Sequence, residues 1–142
     1  MKNNEVKVTG FELGRTHITP ANSYIQDDGL YAVVLINNAT VKYIKLVSET
    51  LIDKLTDDEK NLLLQKLSKR WLGKTMDVKC DEPFISRTYI SKAQNVSGNV
   101  TSVTEHHRLN LKFSNKIREM LIGKRSTIRN TEELWNLLLL TH

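Results

Sequence analysis

The chain reads as an α+β fold, an antiparallel β-sheet packed against a central helix and two C-terminal helices. Three observations carry that reading. Residues 30–36, Leu-Tyr-Ala-Val-Val-Leu-Ile, are a short, nearly unbroken apolar run whose β-branched content suits an interior strand. Thr56-Asp-Asp-Glu59 is a capping box, followed by Leu63, Leu67 and Trp71 at four-residue steps. At the far end, Leu134, Trp135 and the run Leu137 to Leu140 make a segment apolar almost all round, the pattern of a helix that buries more than one face.

The elements follow in order. Val6, Val8 and Phe11 open a short alternating run, and residues 23–26 lead to the turn signal Asp27-Asp28-Gly29. Asn37-Asn38 is a tight-turn candidate after the apolar strand, because asparagine tolerates positive φ. In the next strand Val41, Tyr43 and Lys45 share one side, and Lys42, Ile44 and Leu46 the other, so residues 24–47 read as an antiparallel meander. Ser48 to Leu55 forms a short helix with Val47, Leu51, Ile52 and Leu55 inward. The central helix spans 57–72, with acids at its start, Lys69 and Arg70 at its end and Gly73 as its stop.

Strands return over 75–79 and, after Pro83, over 84–91. Ser97-Gly98-Asn99 is a loop, and from Val100 a polar strand places Val103, Leu109, Leu111 and Phe113 on one parity. Residues 84–113 therefore read as a long, half-exposed hairpin. Ser114 caps the next helix, where Ile117, Met120 and Leu121 follow helical spacing and Gly123 ends it. Asn130 or Thr131 caps the last helix. Strand-rich residues 1–47, helical residues 48–72, strand-rich residues 75–113 and the C-terminal helices over 114–141 compose one domain, as 142 residues without a Pro- or Gly-rich linker suggest.

Composition narrows the function classes. A 39% hydrophobic content in periodic blocks argues against disorder, and 6% aromatics against an extended base-stacking platform. Cys80 is the single cysteine, so no intramolecular disulfide forms; a buried, inert thiol is its expected state. No apolar stretch follows Met1-Lys-Asn-Asn-Glu-Val6, and no run reaches the length of a membrane span, so the expected location is the cytoplasm. The sequons at Asn38, Asn95 and Asn99 are read as chance matches in polar turns.

Charge is the strongest functional signal. Residues 1–59 carry a net −3 and residues 60–142 a net +8. Between His107 and Arg129 lie seven bases (Arg108, Lys112, Lys116, Arg118, Lys124, Arg125 and Arg129) and one acid, Glu119. Four of the seven are arginines, whose planar fork holds phosphate oxygens bidentately. Such clustering favours an anionic partner, against the plainer alternative of a solvated face. On the ribbon Arg108, His106 and Lys112 share one parity, Arg87 lies on the neighbouring strand, and His107 joins the basic surface.

Other constellations are weaker. His17-Ile-Thr19 is one H-x-T triplet, and two-histidine phosphoesterases need two, so imidazoles can exchange protons across a phosphodiester. His106 and His107 are adjacent, hence on opposite faces of a strand, and there is no C-x-x-C or H-x-x-x-H spacing, so no metal is expected. Gly123-Lys-Arg-Ser126 lacks the earlier glycine and the preceding strand of a phosphate-binding loop. Trp71 and Trp135 are expected in the core.

The expected function is a small binding protein, without cofactor, for a phosphate-bearing ligand. That ligand is nucleic acid, or a nucleotide or cyclic-nucleotide signal that the protein sequesters. The candidate contacts are Arg87, His107, Arg108, Lys112, Arg118, Lys124, Arg125 and Arg129. The apolar last helix suggests a homo-oligomer. The alternatives are a protein–protein interaction module, such as a virus-encoded inhibitor of a host enzyme, and a phosphodiesterase using His17 and Thr19.

Overall fold

The computed structural model describes residues 2–14 and 28–140. Strands β1 (Lys2–Leu13), β2 (Leu30–Ile36) and β3 (Thr40–Val47) lead to helices α1 (Glu49–Ile52) and α2 (Asp57–Trp71). Strands β4 (Thr75–Cys80), β5 (Ile85–Gln94) and β6 (Val100–Leu109) follow, then helices α3 (Leu111–Ile122) and α4 (Thr131–Leu140). Four strands form one antiparallel sheet in the order β3-β2-β1-β4, while β5 and β6 form a separate two-stranded ribbon. The mixed α+β class expected from the sequence is the one observed.

The apolar strand 30–36 is interior, as its unbroken hydrophobicity implies, and it is buried almost throughout. Asn37 and Asn38 adopt φ of 52° and 59° in the three-residue link 37–39, where Ala39 N donates to Ile36 O at 3.1 Å, and asparagine tolerates that left-handed backbone. In β1 the register shifts between Val8 and Gly10. This bulge carries the core face from the even positions Val6 and Val8 to the odd positions Phe11 and Leu13, which explains why the run does not alternate cleanly. One face of the sheet, with Val6, Val8, Ala32, Val34, Ile44, Leu46 and Val78, joins a core to which all four helices contribute.

The Thr56 capping box is reciprocal: Glu59 N donates to Thr56 Oγ1 at 3.2 Å and Thr56 N to Glu59 Oε1 at 3.0 Å. Helix α2 ends one residue before the expected 72, and Gly73 follows at φ 80°. It buries Leu63 and Leu67 and leaves Trp71 half-buried, with Arg70 and Lys74 over its ring at 5.6 and 5.7 Å.

Several local expectations are corrected. The ribbon stops at Leu109, and α3 begins at Leu111 rather than after Ser114. Its cap is Asn110, whose Oδ1 accepts from Lys112 N at 2.9 Å and Phe113 N at 3.3 Å. Phe113 therefore belongs to a helix, stacked with Ile117 and Leu121 in the core, while Leu111 points outward. Met120, expected on the inner face, is exposed. Among the described side chains of α4 one face is buried, Leu134, Leu137 and Leu138, and Trp135 stays 45% exposed instead of anchoring the core. Asn130 is positioned as its cap, accepting from Glu132 N at 2.8 Å. Residues 23–26 and the H-x-T triplet at His17 and Thr19 lie outside the described residues. Among the described residues no helix is long and apolar enough to cross a membrane.

Candidate functional site

The fold separates the basic residues into two populations. On α3 and the connector to α4, most cations already have protein partners. Lys112 pairs with Glu82 at 2.9 Å, Lys124 with Glu133, and Arg125 with Glu119. Lys116 donates to the carbonyl of Lys79. Arg118 turns inward: its Nε donates to Lys45 O at 2.8 Å, and its NH1 to Asn115 Oδ1 at 2.9 Å. Burial lowers the Arg118 pKa from its ordinary value, the response of a cation taken out of water. Arg129 is exposed on the connector. Lys112, assigned to the ribbon's cationic parity by its sequence position, sits instead on a helix.

The second population is on the ribbon. Residues 86–108 contain no buried or half-buried position among those whose side chains are described, so the hairpin is wetted on both faces. A one-residue register shift after Ile85 sets the parity, and from there the rungs run Arg87↔Arg108, Thr88↔His107, Ile90↔Glu105, Lys92↔Val103 and Ala93↔Ser102. Cross-strand partners share a face. Arg87 and Arg108 are thus directly opposed on one face, together with Tyr89 and, toward the tip, Ala93 and Ser102. Arg87 lies over the Tyr89 ring with Cζ 5.5 Å from the centroid. Among the described residues, neither Arg87 nor Arg108 is paired with a carboxylate.

The other face carries Thr88, His107, Ile90, Glu105, Lys92 and Val103. His107 belongs here, not with Arg108. Its Nδ1 lies 3.1 Å from Thr88 Oγ1 and its Nε2 3.5 Å from Glu105 Oε1, so both ring nitrogens have a neighbour within the ribbon. No group of three or more metal-ligating side chains occurs among the described residues. At the tip, Asn95 Oδ1 accepts from the amides of Ser97 and Asn99 at 3.0 Å each, and Gly98 takes φ 83°. The ribbon's base is tied down by Asn110 N, which donates to Phe84 O at 2.7 Å, and by Lys42, which donates to His107 O.

The helical region also forms an open cleft of about 450 Å³, lined by Arg70, Met120, Gly123, Lys124, Glu133 and Leu137 among others. Its cations are engaged, Lys124 with Glu133 and Arg70 with Trp71. Read from the sequence, Arg87 and Arg108 are candidates, whereas Tyr89, which shares their face, and Lys92, which lies on the other, are not. The period-two spacing of Arg87 and Tyr89 was the available signal for Tyr89. Compared with known proteins, the chain matches no family model, no curated protein and no solved structure.

Proposed function

We propose that the protein is a nucleic-acid-binding protein that grips duplex DNA through the Arg87–Arg108 face of its ribbon. The observation that carries the proposal is the direct opposition of two guanidinium groups without a carboxylate partner among the described residues. Like charges facing each other across a ladder cost the ribbon stability when nothing lies between them. A phosphate oxygen between them converts that repulsion into two charge-assisted hydrogen bonds.

The shape of the element agrees with this partner. The major groove of B-form DNA admits a two-stranded β-ribbon, whereas that of A-form RNA is deep and narrow. Ala93 and Ser102 keep the same face slim toward the tip, so the ribbon backbone approaches closely. With 6% aromatic residues, stacking on unpaired bases has little to work with. A sequestered nucleotide has weaker support, because the cations bordering the cleft are already partnered.

The test is a fluorescence anisotropy titration with a mixed-sequence DNA duplex at several salt concentrations. Arg87→Ala and Arg108→Ala are each expected to weaken binding and to reduce the salt dependence by about one phosphate contact. Lys124→Ala and Arg125→Ala, which only remove local ion pairs, leave both quantities near wild type. Equal affinity and salt dependence in wild type and the Arg87→Ala/Arg108→Ala double variant overturn the proposal.

A further inference from the structure

We infer that the opposite face of the ribbon is a docking surface for a second copy of this chain. The inference is independent of the DNA reading, since it uses none of the same side chains. Ile90 is 61% and Val103 60% exposed, on an element against which no layer packs among the described residues. A lone two-stranded ribbon is marginal in water, and apolar groups on it gain from being covered.

The arrangement of the four central side chains identifies the occupant. Ile90 stands opposite Glu105, and Lys92 opposite Val103. The two apolar residues therefore occupy one diagonal of a square, and the two opposite charges the other diagonal. A two-fold axis laid along the Ile90–Val103 diagonal sets each apolar residue against its own copy. The same rotation brings Lys92 over Glu105 of the second copy, and Glu105 over Lys92 of the second copy. An isologous contact demands this self-complementarity. The two ribbons then cross steeply, which falls within the orthogonal class of sheet packing.

Electrostatics separates this face from its reverse. The chain carries net +5, and two Arg87–Arg108 faces brought together repel. The Ile90 face holds one lysine and one glutamate, so two copies meet there without net charge. Among the described residues Lys92 has no carboxylate partner and Glu105 has the His107 imidazole at 3.5 Å as its one ionic neighbour, so both side chains can meet a partner. The contact is small, and the dimer accordingly belongs to the weak class, with a dissociation constant between about 10 µM and 1 mM.

Sedimentation velocity of the full chain at increasing concentration, up to about 1 mM, tests the inference. Wild type is expected to show a concentration-dependent shift from monomer to dimer. Lys92→Glu and Glu105→Lys alone each place like charges against each other twice and shift the midpoint at least roughly tenfold upward. An equimolar mixture of the two single variants restores dimerisation, because every cross-copy pair in the heterodimer is again opposite in sign. That recovery separates a contact between copies from the diagonal neighbour relation of Lys92 and Glu105 inside one ribbon, which mixing leaves broken in both chains. Circular dichroism confirms that both variants remain folded, and Ile90→Thr, which keeps strand propensity, provides a second route to loss of the dimer. A wild type that stays monomeric throughout, single variants that dimerise like wild type, or a mixture that fails to recover each overturn the inference.

Discussion

Arg118 reaches from α3 to the edge strand β3, where its Nε donates to the backbone carbonyl of Lys45 at 2.8 Å. Thr127 Oγ1 approaches the same carbonyl at 3.5 Å, and Ile128 N donates to Leu46 O at 2.8 Å. The outer edge of β3 is thus covered by side-chain and backbone donors from the C-terminal third, which leaves less of it open to another chain. A residue that looked like a ligand contact in the sequence is an edge clamp in the fold.

Arg118→Ala is accordingly expected to destabilise the protein by about 1–3 kcal/mol, the range for loss of a charged hydrogen bond with its acceptor left behind. Urea unfolding measures it. Lys124→Ala, which breaks a more exposed ion pair with Glu133, serves as the comparison and costs less than about 1 kcal/mol.

Thr56→Ala removes the acceptor for Glu59 N and leaves one orphan amide at the start of α2. The expected loss is about 1 kcal/mol, seen as a lower denaturation midpoint with an unchanged slope. Thr56→Ser retains the hydroxyl and recovers most of the difference.

Asn110→Ala tests where α3 begins. Its carboxamide caps two backbone amides and also donates to Glu82 at 2.9 Å, so its removal costs about 1–2 kcal/mol. Phe113→Ala costs about 3–5 kcal/mol, because that ring is fully buried and lies 5.9 Å from Phe84. Leu111→Ala, on the wet side of the same turn, stays within about 0.5 kcal/mol of wild type. A strand through 113, with Leu111 and Phe113 on one face, predicts similar costs for the two.

How much of this was legible in the sequence varies by element. The capping box, the interior strand and the Asn37-Asn38 turn announce themselves, because each depends on residues adjacent in the chain. The start of α3 did not, because Leu109, Leu111 and Phe113 alternate as a strand would, while Phe113, Ile117 and Leu121 are spaced as a helix would be. Asn110 decides between the two only through its hydrogen bonds. The partners of the basic cluster are hidden in a similar way. Lys112 meets Glu82, thirty residues away, and no one-dimensional reading pairs them. The opposition of Arg87 and Arg108 depends on a register shift at the ribbon's base, which composition does not encode.

The Asn110–Glu82–Lys112 group gives stability a pH dependence. The hydrogen bond from Asn110, then the bond and charge of Lys112, hold the Glu82 carboxyl below its ordinary value of 4.5. A depressed carboxyl stabilises the fold above its unfolded pKa, and that contribution disappears as pH falls through the lower folded value. Lys112 is raised by the hydrogen bond and charge of Glu82, so its share is present below its ordinary value of 10.5 and is lost only as pH rises through the higher folded value. Glu82→Gln is therefore expected to flatten the acid limb of a stability profile below pH 4.5 relative to wild type. An unchanged acid limb counts against the assignment.

Cys80 is free and only 3% exposed, as expected for an inert thiol. Its reaction with an aromatic disulfide reagent should be slow in the native protein and should rise with urea in step with unfolding. Fast labelling without denaturant would show that β4 opens on its own.

The strand order carries a consequence for the order of synthesis. Strand β1 lies between β2 and β4, so one of its two neighbours emerges from the ribosome only with residues 75–80. Until then the nascent β1–β2–β3 hairpins expose one flank of the N-terminal strand to any other chain nearby. Completion of the sheet closes that flank, and a translational pause between Val47 and Thr75 should raise the yield of aggregated polypeptide.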